Sequence, residues 1–289
     1  MRPVELIGVA SGIGAQDQGC ADGPGALRHL HAFLGGQPQA EWDGMLRPVA
    51  DKRPVVEVDA ELCTRLAERV RLTLARGRFP LVVGGDHSCA IGTWSGVYRW
   101  LDGRGPLGLI WLDAHMDSHT FATTPSGALH GMPLACLLGH GEPALTSILE
   151  ILPKLRPEHI CLLGVRSYEA GEAALLRRLG VRVISMDEVR ERGLAATLDE
   201  AISIARNGTA GFGVSLDLDV LDPTEDPGVG SPAPGGIRCH ELEQALHRLR
   251  GDPALLAMEI VEYNPHRDRD CLTARAADAL FRAVLSAAG

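Results

Sequence analysis

The chain has 289 residues, 45% hydrophobic, 22% charged and only 4% aromatic, with a formal net charge of −9. These are the proportions of an ordinary globular protein with an aliphatic core. Net negative charge argues against nucleic acid as a partner, and no apolar run reaches the ~18 residues that a membrane span needs.

The first apolar run, Val4–Val9, is too short for a signal peptide and predicts a strand. Further strand-like runs follow at Pro80–Val83, Leu107–Leu112, Ile160–Val165, Val181–Met186, Gly213–Leu218 and Leu255–Val261. Helical patterns separate most of them. In Glu61–Arg76, Leu62, Leu66, Val70 and Leu74 repeat every four residues. Ala173–Leu179, Leu198–Arg206, Glu241–Leu249 and Ala274–Leu285 behave alike. The strands are continuously apolar rather than alternating, as in a parallel sheet covered on both faces. Strand-helix alternation predicts a single doubly wound α/β domain over residues 1–289, a parallel sheet of about eight strands with helices on both faces. Seven scattered cysteines without a C-x-x-C fit reduced thiols in a cytoplasmic protein.

Two segments resist regular structure, Ser118–Gly131 and the Pro- and Gly-rich 222–236. Each follows a strand that ends in carboxylates. Ligands of parallel sheets sit beyond the carboxyl ends of strands, which makes such loops candidates for substrate binding.

Three strand ends carry metal-ligating residue types: His87 in "VVGGDHS", Asp113, His115 and Asp117 in "WLDAHMDSHT", and Asp217 and Asp219 in "VSLDLDVLDP". On a strand, the alternate positions within each stretch would share one face. Taken singly, His87 fits a hydrogen-bonded structural histidine, and Asp222, before a proline, fits a turn. Three decorated strand ends together point to a cation, because unpaired buried charges are costly. The set contains no thiolate, which argues against structural zinc. Carboxylates with some imidazole suit Mn²⁺ better than Ca²⁺. Six side chains are too many for one ion and suit two ions sharing bridging carboxylates. "GIGAQD" lacks the third glycine of a dinucleotide loop, "HELEQ" lacks the second histidine of a zinc protease helix, and there is no G-x-S-x-G elbow.

"GGDHS", "DAHMD" and "SLDLDVLDP", in this order, resemble the signature set of the ureohydrolases, the family of arginases and agmatinases. The similarity runs from "DGPGALR" near the start to "EIVEYNP" near the end and is closest to the arginases. The resemblance implies an enzyme with two Mn²⁺ per subunit that hydrolyses a guanidinium group to urea and an amine, and a homo-oligomer, trimer or hexamer. It implies one ion on His87, Asp113, Asp117 and Asp217, and the other on Asp113, His115, Asp217 and Asp219. Glu262 matches the glutamate that orients the guanidinium, and His130 the histidine that relays a proton; Asp117 would lie beside the nucleophile.

The loop "DSHTFATTPSGALHG" is similar to the arginase version, with Thr124 and Ser126 at positions that bind the substrate α-carboxylate. His119 and Ala128 each stand where arginases have an asparagine, and Glu169 where they have an aspartate; Glu172 matches an acidic residue nearby. The implied partner is a small cationic guanidino substrate. L-Arginine, giving L-ornithine and urea, leads; 4-guanidinobutyrate, which lacks the α-amino group, and agmatine are alternatives. Outside this activity stand a formimidoyl-glutamate hydrolase and a catalytically weak binding protein.

Overall fold

A computed structural model describes residues 2–30, 40–49, 52–150 and 153–285. Its centre is one sheet of strands β1 (Val4–Val9), β2 (Ala40–Leu46), β3 (Phe79–Gly84), β4 (Leu107–Leu112), β5 (Ile160–Val165), β6 (Arg182–Ser185), β7 (Gly211–Asp217) and β8 (Leu255–Val261). The order across the sheet is β2-β1-β3-β8-β7-β4-β5-β6, and each neighbouring pair runs parallel. The helices are α1 (Gly23–His29), α2 (Val55–Ala75), α3 (Ala90–Leu101), α4 (Pro133–Leu137), α5 (Pro143–Thr146), α6 (Ala170–Leu179), α7 (Met186–Arg192), α8 (Leu194–Arg206), α9 (Cys239–Leu246) and α10 (Leu272–Leu285).

Alternate strand residues divide between two apolar clusters, as the two-residue repeat of a strand requires. Leu6, Leu81, Val83, Ile110 and Leu112 pack with α8, α9 and α10, whereas Ile7, Val82, Leu109 and Trp111 pack with α2 and α3. This is the doubly covered parallel sheet that the apolar strands predict. Helix α3 approaches α2 closely at Gly96, where a Cβ would lie 2.4 Å from the Ala67 carbonyl oxygen.

Several boundaries differ from the sequence expectation, and one strand is new. Helix α2 starts at Val55 rather than Glu61. The sixth strand stops at Ser185 because that hydroxyl accepts the Glu188 N–H and caps α7, which takes Met186. Strand β2, which the apolar runs do not predict, is a partly exposed edge strand. The seven cysteines form no disulfide, and no described helix is long and apolar enough to cross a membrane.

Strands β3, β8, β7 and β4 are neighbours at the middle of the sheet. Their carboxyl ends lead to His87, Glu262, Asp217 and Asp113. Four chemically loaded segments therefore meet within about three strand spacings, roughly 15 Å.

Candidate metal centre

Turns, not the strand pleat, assemble the ligand-type residues. Strand β4 stops at Leu112, and Asp113, His115 and Asp117 lie on the segment beyond it. Asp113 Oδ1 accepts the His115 backbone N–H at 2.6 Å, and Asp117 adopts a left-handed φ of 46°, a conformation that costs a non-glycine residue. Asp217 ends β7, and its Oδ1 accepts the Asp219 N–H at 2.8 Å, opening a single 3₁₀ turn over Leu218–Val220. Ahead of His87, Gly85 passes so close to Ser11 that a Cβ would sit 1.9 Å from its carbonyl oxygen. The glycine pair of "GGDHS" is thus explained by packing.

His87 Nδ1 lies 2.9 Å from Asp117, 3.1 Å from Asp217 and 3.3 Å from Asp113. His115 Nδ1 lies 3.0 Å from Asp219 and 3.4 Å from Asp113. Two groups result, His87–Asp113–Asp117–Asp217 and Asp113–His115–Asp219, with Asp113 common to both. Asp217, expected to serve both ions, is grouped here with the first.

The electrostatics of these groups ask for positive charge. Burial and the neighbouring carboxylates hold Asp217 well above the ordinary aspartate range. Burial, then the charge of Asp113, lifts Asp117 to about 6. Burial opposes the His87 imidazolium, yet the carboxylates of Asp113, Asp117 and Asp217 close to Nδ1 raise its pKa well above normal. A cation bound there would take the place of that proton.

The hydrogen bonds behind His87 supply a sharper test of fit. The Ser215 hydroxyl donates to Glu259 Oε1 at 2.6 Å, which leaves its oxygen to accept from His87 Nε2 at 2.9 Å. A hydroxyl has one proton to give, so Nε2 is the protonated nitrogen and Nδ1 carries the lone pair. That buried Nδ1 has no hydrogen-bond partner and faces three carboxylates. A lone pair among anions is the arrangement of a metal ligand fixed by an outer hydrogen bond. Trp111 completes the support: its ring stacks on His87 at 4.3 Å and its Nε1 donates to Asp113 Oδ2 at 2.8 Å.

His130 Nδ1 contacts Glu262 Oε1 at 3.0 Å. The same oxygen accepts the His87 backbone N–H at 2.9 Å, while Oε2 accepts from the Cys20 thiol at 3.2 Å. Glu262 is buried, with a left-handed φ of 64°. Burial works against a charged His130, but the Glu262 carboxylate outweighs it and lifts the imidazole to about 9. The residue that lines the adjoining pocket is His130, not Glu262.

That pocket, ≈ 130 Å³, is lined by Asp117, Asp217, Asp219, Glu169 and Glu172 together with His115, His119 and His130, and by no Lys or Arg. Thr124, Ser126 and Ala128 form its rim, so the structure brings every sequence-nominated rim residue to one opening. His119 Nε2 donates to Glu169 at 2.9 Å. Glu169 and Glu172 form the capping box of α6, each carboxylate accepting a backbone N–H of the other's residue. Behind the floor, the Arg166 guanidinium donates to the backbone carbonyls of Gly164, Asp219, Val220, Leu221, Ala233 and Pro234. It ties the turn carrying Asp219 to the 222–236 loop.

The model of the Arginase family matches residues 2–286. An arginase of Bacillus caldovelox is 39% identical over 293 residues, covering 97% of this chain and 97% of that protein. The crystal structure of arginase from Bacillus caldovelox superposes with a TM-score of 0.93 at 38% identity, covering all of this chain and 99% of the other. That of Bacillus subtilis arginase gives 0.91 at 34%, covering 99% of both chains. This chain belongs to the arginase family.

Arginase-family membership makes it a metal-dependent ureohydrolase, and the His/Asp cluster is where the chain can hold a divalent metal. Sequence reasoning missed four supports of that cluster: Ser215, Glu259, Cys20 and Arg166. Two had left a trace, since Ser215 and Glu259 are polar residues inside otherwise apolar strands. Cys20 and Arg166 had none.

Proposed function

We propose that the chain is a hydrolase with two Mn²⁺ per subunit, one ion on His87, Asp113, Asp117 and Asp217 and the other on Asp113, His115, Asp217 and Asp219. It acts as one ureohydrolase domain in a cytoplasmic homo-oligomer, trimer or hexamer. Its reaction is the hydrolysis of L-arginine to L-ornithine and urea. The observation that carries this reading is the pair of His/Asp groups sharing Asp113 beneath a pocket lined by five carboxylates and by no Lys or Arg.

When bound, the divalent ions supply Lewis acidity that brings water deprotonation near neutral pH. The carboxylates of the pocket wall attract a planar cation and leave its carbon facing the floor. Asp117, which lines the pocket beside His87, can orient the attacking water. Glu262 acts through His130, holding the imidazole by Nδ1 so that Nε2 is the nitrogen left for the substrate. With its pKa at about 9, His130 is protonated at pH 7 and can give that proton to the departing amine nitrogen, which would otherwise leave as an unstable anion. Glu262 thereby serves the guanidinium at one remove. Thr124, Ser126 and His119 are proposed to hold the carboxylate end, with Glu169 and Glu172 at the amino end.

A second reading, hydrolysis of a guanidino acid such as 4-guanidinobutyrate, is favoured by Ala128, which lines the pocket and has no side-chain polar group. Urea release from Mn²⁺-loaded protein, measured across L-arginine, agmatine and 4-guanidinobutyrate, tests both readings. Absence of urea from all three would refute the ureohydrolase assignment of substrate.

A further inference from the structure

A third cluster of metal-ligating side chains stands apart from the floor of the pocket. His119, Glu169 and Glu172 each present one ligand atom within 4.8 Å of the others, and they share no residue with the two His/Asp groups. All three line the pocket, whose walls carry no Lys or Arg to repel a cation. His119 Nε2 lies 2.9 Å from Glu169 Oε2 and 3.4 Å from Glu172 Oε2. Donor atoms bound about 2.0–2.2 Å from a tetrahedral Zn²⁺ stand roughly 3.4 Å from one another. Little movement separates the two arrangements.

The bonds behind His119 decide which of its nitrogens faces the cluster. The Thr123 hydroxyl donates to the Thr120 carbonyl oxygen at 3.3 Å, and a hydroxyl has one proton to give. Its 3.1 Å contact with His119 Nδ1 is therefore accepted from that nitrogen, and Nε2 is the nitrogen turned to the carboxylates. An imidazole held from behind by a donated hydrogen bond, with its other nitrogen toward anions, has the support of a metal ligand. Glu172 is fixed as well: it is buried, Oε1 accepts the Ser118 N–H at 3.2 Å, and Oε2 accepts the Glu169 N–H at 3.0 Å. His119 is only 6% exposed. Two of the three ligands are thus set in place by the fold, and the exposed Glu169 supplies the third.

Resting on the ureohydrolase reading, we propose that His119, Glu169 and Glu172 form a further, inhibitory cation site that takes Zn²⁺. Two glutamates balance the charge of one divalent ion, and three protein ligands leave the fourth position of a tetrahedral zinc to water. With the same donors Mn²⁺ binds more weakly, standing at the low end of the divalent affinity order. Zinc there occupies the side chains proposed for the carboxylate and amino ends of the substrate, so ion and substrate exclude each other.

The test dialyses the full chain against buffer holding both Mn²⁺ and Zn²⁺ and counts each metal bound per chain. The expected result is one zinc added with manganese content unchanged. His119→Asn and, separately, Glu169→Gln, whose amide oxygen can still cap α6, should lose that zinc and keep their manganese. No added zinc, zinc uptake matched by manganese loss, or an added zinc kept by both variants overturns the inference. In urea release from L-arginine, Zn²⁺ at ten times its dissociation constant should raise the apparent KM about tenfold and leave kcat unchanged. Each variant, compared only with itself, should show no such rise at the same zinc concentration. A fall in kcat at constant KM places the ion elsewhere and overturns the inference. If the zinc-free protein releases no urea from any guanidino substrate, the ureohydrolase reading and the inhibitory role fall together, while the metal count still decides the zinc site.

Discussion

The floor and the rim of the pocket are built by different rules. On the floor, His87, Asp113, Asp217 and Asp219 are buried, and each is fixed by at least one further bond from strand, turn or aromatic ring. Their positions are over-determined, and the strain at Asp117 is held by what surrounds it. At the rim, the side chains of Thr124 and Ser126 bond each other and neighbouring loop N–H groups. Ser126 and Glu169 are exposed. Under the proposed function, chemistry that requires ions at fixed spacing is kept where the sheet holds it, and discrimination between substrates is left to a surface that can change without loosening the floor.

The largest expected effect strikes the floor itself. Asp217→Asn removes one partner from a buried charge network, a loss of about 3–5 kcal/mol, so metal affinity should fall by roughly a hundredfold to several thousandfold. Metal analysis after dialysis, alongside urea release, checks this; full metal content would break the distinction between floor and rim. Next comes the bridge between the regions. His130→Asn should keep its metal and lower kcat about 10²–10⁴-fold, the usual worth of a placed general acid. In the parent, kcat should decline as pH rises through about 9, where His130 loses its proton; a profile still climbing past that point would remove His130 from proton transfer.

Ser215→Ala replaces no ligand but frees the proton position on His87. It should weaken Mn²⁺ affinity about 10–100-fold with kcat at saturating metal little changed, and a titration with competing chelator would separate the two. The smallest effect lies under the floor, at Asp59. Burial first, then the charge of Asp86, raises its carboxyl to about 8. A group raised on folding contributes stability that is complete below its unfolded value near 4 and is lost as pH climbs through about 8. Asp59→Asn should therefore gain on the parent between pH 5 and pH 9, read as a melting-temperature difference that widens as pH rises. An unchanged difference would mean that Asp59 is ionised in the fold.

The same division decided what could be seen in the sequence. Strands β3, β4, β7 and β8 are buried on both faces, and continuous apolar runs mark them plainly. Edge strand β2, "AEWDGML", has no such run, because one side of it meets solvent. Helix α3 escaped notice for the opposite reason: nearly every face from Ala90 to Val97 is buried, so no polar stripe betrays a helical period. The ligand residues were legible as types at strand ends, but the means of bringing them together was not. Asp113, His115 and Asp117 suggest a pleated face, whereas a side-chain bond to a following N–H and a left-handed residue gather them. Long-range partners such as Cys20 with Glu262, 242 positions apart, leave no local pattern at all.

Arg166 carries the same planar, charge-delocalised group that the pocket is proposed to cleave, and it ends one carbonyl away from Asp219. Its N–H donors are committed to main-chain oxygens, with no carboxylate hydrogen-bonded to it. The fold thus fixes a guanidinium beside the Asp219 turn by neutral main-chain acceptors, while the pocket lining itself carries carboxylates and no Lys or Arg.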